Sequence, residues 1–401
     1  MDDPRRAGAK GGRTGGGLTR RRVLAGAAVA GGALLAGAGW RAWDQGVFSP
    51  GEGPAYEPWR TWQGLPEDGA RALVRAAILA ASPHNSQPWH FGLADSRIDV
   101  LADTSRNLGA IDPYLREMHI GLGCAIENIA LAAPGRGFGA SVTLMPDPDN
   151  AMHVGRIDLN SDAPPASDLA RAIPDRHTNR GRYDAARPVP LDVLRALEAE
   201  AGPDVAVLWF TAPADRRRVG DLIVRATEAV VADAGQSEAS ARWLRFDWGQ
   251  VQRLRDGLTI DATVPAGFMR VAAKMLPAPG AAAADRYWLQ ATREQTVPSA
   301  AGFGLLAVAD ARDAVARLQA GRAWQRLHLR ATLLGLALQP LSQPNERWDR
   351  EAITGAPPAF GPALSALVGD ARRQAIMTFR FGYPAQPAGP SPRRPLEAVL
   401  A

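Results

Sequence analysis

The sequence predicts an α+β protein built twice within one chain. Three observations predict it. In "LVRAAILAASP" at 73–83, the apolar residues Leu73, Ala76, Ala77 and Ala80 recur at helical spacing; a proline-bearing loop and the apolar strand start "WHF" follow. Displaced by 120 positions, "VLRALEAEAGP" at 193–203 repeats the plan: Leu73 meets Val193, Arg75 meets Arg195, Pro83 meets Pro203 and Trp89 meets Trp209. Each half reads as helix, loop and a strand opened by Trp. Later in each half, "GCAIENIALAA" at 123–133 matches "GRAWQRLHLRA" at 321–331, both helices with one apolar face. Two matches in the same order predict a duplication.

The totals suit this plan. The chain has 401 residues, 46% of them hydrophobic, enough for a sizeable core. Its net charge of +5 is concentrated: residues 1–22 hold seven basic and two acidic residues, which is the whole excess. The neutral body argues against a nucleic-acid partner. The lone Cys124 excludes an intrachain disulfide and reads as a buried packing residue. The six histidines show no metal-ligand spacing, and "GLGCAI" lacks the third glycine of a dinucleotide fingerprint.

Ahead of the repeat, "LTRRRVLAGAAVAGGALLAGAGW" sets a basic stretch before an apolar run that falls short of the ~20 residues a membrane span needs. Residues 1–39 resemble a twin-arginine signal with Arg20 and Arg21 as the pair. That resemblance implies export of the folded protein by the twin-arginine machinery to a periplasmic or other extracytoplasmic site, with cleavage near Ala36-Gly37-Ala38. An uncleaved membrane anchor is the alternative. Residues 40–69 are predicted to be an extended tether, 70–165 the first half and 166–401 the second. Within the second half, 236–300 fits the repeat poorly and is a candidate lid. Its Trp243, Phe246 and Trp248 are expected close together on a helix, with plain core packing as the alternative.

The halves differ where chemistry would sit. The first carries Ser82-Pro83-His84-Asn85-Ser86-Gln87-Pro88; its counterpart "GPDVAVL" has lost the amides. Ser82, Asn85 and Gln87 offer hydroxyl and amide groups, and Pro83 and Pro88 stiffen the loop. Local backbone satisfaction at a helix end is the other reading. The second half carries "IPDRHTNRGRYDAARPVP" at 173–190. Arg176 and Arg180, four apart, would converge on an anion if they open a helix or turn, with the Thr178 hydroxyl between them. By composition, Arg393 and Arg394 are a solvated basic pair near the terminus.

Three segments, "ASPHNSQPWHF", "RHTNRGRYDAARPVPLDVLRALEAEAG" and the tail "FRFGYPAQPAGPSPRRPLEAVL", resemble the nitroreductase superfamily of flavin proteins, and within it the Acg-like FMN-binding proteins. "LLGLALQPLSQPNE" at 333–346 extends the resemblance over most of 70–400. It implies a nitroreductase-like mixed sheet wrapped by helices, duplicated as a single-chain, monomeric pseudo-dimer with one surviving FMN site between the halves. The first half would supply Ser82, Pro83, Asn85 and Gln87. The second would supply Arg176, His177, Thr178 and Arg180 for phosphate, ribityl or ring-edge contact, Pro340, Leu341 and Ser342 near the flavin N5, and Arg393 and Arg394 for phosphate. For His177 and Asn179, exposure between the arginines is the competing expectation. The implied activity is an FMN-dependent oxidoreductase, fed by NAD(P)H or another donor and reducing a small nitro, quinone or similar electron-poor acceptor. No side chain is assigned as acid or base. Many active members carry Glu-Gly where Ser342-Gln343 stands here, which favours the alternative of a lidded protein that sequesters FMN.

Overall fold

The computed structural model of the protein describes residues 20–63 and 69–401. The expected leader therefore lies outside the described residues over 1–19, as does the tether over 64–68. Helix α1 (Arg20–Asp44) runs from the arginine pair to the tether. Residues 40–63 are not extended. The helix continues to Asp44, and Ala55, Tyr56 and Trp59 are buried. Aromatic content is the reason: Tyr56 stacks on Trp248 at 6.0 Å, and the Trp59 indole N–H donates to the Ser391 carbonyl at 2.7 Å.

The first half comprises α2 (Ala70–Ala77), β1 (Trp89–Ala94), β2 (Arg97–Ala102), α3 (Arg116–Ala132), β3 (Gly139–Leu144) and β4 (His153–Asn160). The second opens with α4 (Leu191–Glu198) and β5 (Ala206–Phe210). An insertion follows, holding the short parallel pair β6 (Leu244–Arg245) and β7 (Leu258–Thr259) and helix α5 (Phe268–Met275). Then come β8 (Gly302–Val308), α6 (Ala314–Leu333), β9 (Ala337–Pro340), α7 (Gln343–Thr354) and β10 (Gln374–Gly382).

The two four-stranded sheets run β1-β2-β4-β3 and β5-β8-β10-β9. With β6 and β7 set aside as an insertion, these are the same order, with a helix between second and third strands each time. Pairing within each is antiparallel. The C-terminus adds a parallel edge to the first sheet: the Phe91 N–H donates to Val399 O at 2.8 Å, and the Ala401 N–H to Phe91 O at 3.0 Å. One detail of the repeat differs. Trp89 opens β1, but Trp209 is the fourth residue of β5, because the α4–β5 connection lacks the long 82–88 loop.

Helices α3 and α6 cross at Gly123 and Gly321. A Cβ on Gly123 would lie 2.2 Å from Leu318 O, and one on Gly321 would lie 2.1 Å from Ile120 O. Ile120 and Leu318 are equivalent in the repeat, as are Gly123 and Gly321. The contact is therefore reciprocal, as about a two-fold axis. Only glycine permits the backbones to approach this closely.

Candidate functional site

Three segments distant in sequence meet between the halves: the 82–88 loop, the irregular stretch 176–180 before α4, and the tail around 391–393. Thr178 and Arg180, with Ser82, Pro83 and His84, line a cavity of about 510 Å³. Its inner wall comes from α3, Pro340, Leu341, Ser342 and the first turn of α7, and its outer wall from the 240–296 insertion. A smaller recess is lined by Trp59, Asn85, Arg176, His177 and Arg393; Ser82, Thr178 and Arg180 belong to both spaces.

The recess concentrates positive charge. Arg176 is 2% exposed; its Nη2 donates to Leu79 O at 3.1 Å, while Nε and Nη1 have no partner among the described residues. Arg393 is equally buried and lies 4.7 Å over the Trp59 ring. It donates to Asn85 Oδ1 at 2.6 Å and to the carbonyls of Leu79, Ala80 and Pro392, leaving Nε unpaired. Arg180 has no hydrogen bond or ion pair to any described residue. None of the three meets a carboxylate among the described residues. Burial lowers Arg176 and Arg180 to about 10 and pulls Arg393 well below its ordinary value, helped by the Arg176 charge. Buried charge without a counter-ion is costly, so this arrangement is built for an anion. The two arginines lie in an irregular stretch just after a turn, the Arg176 N–H donating to Ala172 O at 3.0 Å, and not in a helix.

His177 and Asn179 are not exposed. Asn179 is buried, donating to Gln386 O at 2.8 Å and accepting from the Gly181 N–H at 2.9 Å. The His177 ring packs edge-on against Trp59 at 4.5 Å, with Nδ1 buried and unpaired. Burial, then the Arg176 and Arg393 charges, lowers it to about 3, so it stays neutral. The segment is covered because the loop and tail close over it.

The 82–88 loop is strained. His84, Asn85 and Gln87 have φ of 46°, 55° and 53°, a left-handed region that non-glycine residues seldom occupy. Its amides hold it there. Asn85 Nδ2 donates to Pro392 O at 2.9 Å, and Gln87 Nε2 donates to Arg255 O at 2.8 Å. Gln87 Oε1 accepts from the Arg394 N–H at 2.8 Å. Gln87 thus pins loop to tail and does not line the cavity. The Arg394 guanidinium, expected at phosphate, instead donates to Gln87 O at 3.1 Å and Ala398 O at 2.6 Å. Short reach explains both: β1 and the terminal strand run side by side here. Ser82, Pro83 and Asn85 do reach the site.

On the inner wall, the Leu341 N–H is taken by Thr378 O at 2.8 Å, and Gln343 Oε1 is buried without a partner. Glu117 of α3 and Glu346 of α7 also line the cavity, and Glu117 Oε1 is buried without a hydrogen-bond partner among the described residues. Asp112 and Asp349 crowd the pair, and Arg116 opposes them, donating to Asp349 Oδ2 at 2.8 Å. Burial, with the neighbouring acids, raises both glutamates. The pair therefore holds a proton near neutral pH. Sequence reasoning missed it, because no spacing links positions 117 and 346. It missed Trp59 because the tether reading set that stretch aside. Cys124 is buried as expected; its thiol donates to Gly321 O at 3.2 Å, and burial pushes it up to about 12.

In the insertion, Trp243, Phe246 and Trp248 do not share a helix. Asp247 accepts from the Gln250 N–H at 2.8 Å and so starts a short helix at Trp248. Phe246 lines the cavity, Trp248 meets Tyr56, and Trp243 lies beneath the guanidiniums of Arg106 and Arg245.

No known protein-family profile matches the chain. Over 337 residues, 82% of this chain and 90% of the relative, it is 28% identical to Rv3131 of Mycobacterium tuberculosis H37Rv, provisionally named an NAD(P)H nitroreductase. A 93-residue stretch, 23% of this chain and 28% of the relative, is 32% identical to acg of the same organism, which carries the same provisional name. Among solved structures, the FMN-dependent nitroreductase NfnB of Mycobacterium smegmatis, in complex with NADPH, aligns with 58% of this chain and 98% of its own at 20% identity, TM-score 0.35. A nitroreductase with bound FMN from Desulfitobacterium hafniense aligns with 59% and 97% at 11% identity, TM-score 0.35.

Proposed function

We propose that the chain is an FMN-binding oxidoreductase of nitroreductase type, with one flavin site between the halves of a single-chain pseudo-dimer. The observation that carries this reading is the trio of buried Arg176 and Arg393 and part-buried Arg180, gathered beside the cavity with no carboxylate partner among the described residues. A mononucleotide phosphate suits such guanidinium forks. The residues fit the group: among the described residues, Arg176 Nε and Nη1 and Arg393 Nε are buried donors without acceptors, and Arg180 lines the same recess. Ser82 and Thr178, at the junction of recess and cavity, suit the ribityl hydroxyls. A space of about 510 Å³ falls in the usual range for ligand sites. The relative matched over most of the chain bears a nitroreductase name.

Bound FMN would supply hydride acceptance and donation at its N5. The chain does the rest. The arginines hold the phosphate, the insertion limits water, and Pro340, Leu341 and Ser342 wall the ring's space. Glu117 and Glu346 keep a proton on a carboxyl oxygen where reduction of a nitro or quinone acceptor consumes protons. NAD(P)H or another donor supplies electrons. Export by the twin-arginine route is part of the same reading.

A second reading is sequestration of FMN with little turnover. The insertion covering the cavity and the Ser342-Gln343 pair favour it. Visible absorbance of the purified chain tests the first claim, with one FMN per chain expected. Stopped-flow mixing with NAD(P)H separates the readings: flavin bleaching followed by reoxidation with acceptor marks the enzyme, and a flavin that stays oxidised marks storage.

A further inference from the structure

The insertion is turned inside out. The stretch 264–284, "VPAGFMRVAAKMLPAPGAAAA", has only two charged residues. Lys274 is buried, its Nζ donating to Asp261 Oδ2 at 2.8 Å and Gly46 O at 2.9 Å. Arg270 folds back to Val264 O at 3.0 Å. The outward side chains are apolar: Phe268 is 83% exposed, with Met269, Val271 and Leu276 also exposed. Helix α5 packs against α1, whose Leu34, Leu35, Trp40 and Trp43 are exposed too. Soluble monomers seldom show an apolar surface assembled from two segments in this way. Leu276, Pro277 and Pro279 are exposed and also line the cavity, so this face borders the cavity's mouth.

We propose that the α1–α5 face docks on an anionic lipid surface, with the cavity mouth turned toward the lipid. Charge complementarity selects this occupant. In the uncleaved chain the whole net positive charge falls in residues 1–22, while the body is neutral. A second copy would bring the same positive charge, whereas anionic headgroups neutralise it. Among the described residues no helix is long and apolar enough to cross a membrane. An apolar face with exposed tryptophans suits the headgroup–acyl boundary. The proposal goes beyond the flavin reading and does not depend on it.

The test uses the full chain bearing Met269→Cys labelled with a nitrobenzoxadiazole dye; the native Cys124 is buried. Vesicles of phosphatidylcholine with about 30% phosphatidylglycerol should raise the dye emission roughly threefold and shift it blue, and pure phosphatidylcholine should do so far less. The dye at Leu191→Cys, exposed elsewhere, should not respond. Phe268→Glu with Leu276→Glu should cut vesicle flotation about tenfold at unchanged melting temperature. The proposal is overturned if the chain floats while the dye at 269 stays in water, since α1 alone would then bind. It is equally overturned if the dye becomes buried without vesicles as the chain dimerises.

Discussion

Two buried charge clusters flank one cavity, and the fold treats them in opposite ways. In the recess, Arg176, Arg180 and Arg393 face no carboxylate among the described residues. Across the cavity, Asp112, Glu117, Glu346 and Asp349 crowd around Arg116, with Arg312 reaching Asp349 at 3.3 Å. A carboxyl relieves crowding by taking up a proton. A guanidinium cannot shed one near neutral pH, so surplus buried arginines need an outside anion. The difference teaches that excess acid can be relieved by a proton, whereas excess arginine calls for an outside anion, as the proposed flavin phosphate would be.

The largest effect should come from breaking the cationic cluster. Each charge-assisted contact is worth ~1.5–3 kcal/mol, so Arg176→Ala with Arg180→Ala should weaken FMN binding by about 10²–10⁴-fold, read by calorimetric titration. Arg180→Ala alone should leave the FMN-free melting temperature unchanged or raised, because its guanidinium has no partner to lose. A lowered melting temperature would assign Arg180 a structural role instead.

Next, Gly321→Ala tests whether the frame that carries both clusters is fixed by the helix crossing. Its Cβ would lie 2.1 Å from Ile120 O, and overpacking against backbone costs about 3 kcal/mol. Gly123→Ala should cost a similar amount if the contact is truly reciprocal, as urea unfolding can show.

The acid cluster should answer to pH. Burial raises Glu117 from 4.5 to about 7, so the folded state holds its proton more tightly than the unfolded chain. Its contribution is fully present below 4.5 and is lost as pH rises through about 7. Relative to Glu117→Gln, the FMN-free protein should lose on the order of 1–3 kcal/mol across that window. A constant difference between the two proteins would contradict the raised Glu117 carboxyl.

The smallest effect is expected at His84→Gly. It relieves the strain of a side chain at a left-handed φ of 46° but also removes the 3.1 Å contact to Ser240. The two changes are each about 1 kcal/mol and opposite, so the melting temperature should barely move.

Much of this was legible in the sequence. The repeated helix–loop–strand and the 123/321 match foreshadowed two sheets of one topology, because periodicity and glycine are local signals. Arg176, Thr178 and Arg180 stand out by density, and the structure places all three with Ser82 in one recess. Gln87 and Arg394 misled because a polar side chain in a loop looks alike whether it serves a ligand or a backbone carbonyl. The Glu117–Glu346 pair was hidden, since its partners lie on separate helices. Trp59 was hidden by a Pro- and Gly-rich surrounding that resembles a linker.

The central claim is the proposal that a gathered set of arginines, without carboxylate partners among the described residues, holds a flavin phosphate between the halves. The most direct measurement is the flavin-to-chain ratio of the full chain after incubation with FMN and gel filtration, beside the Arg176→Ala/Arg180→Ala variant. The account predicts one FMN per wild-type chain and a colourless variant that melts normally. A colourless wild type, or a variant that stays equally yellow, would contradict it.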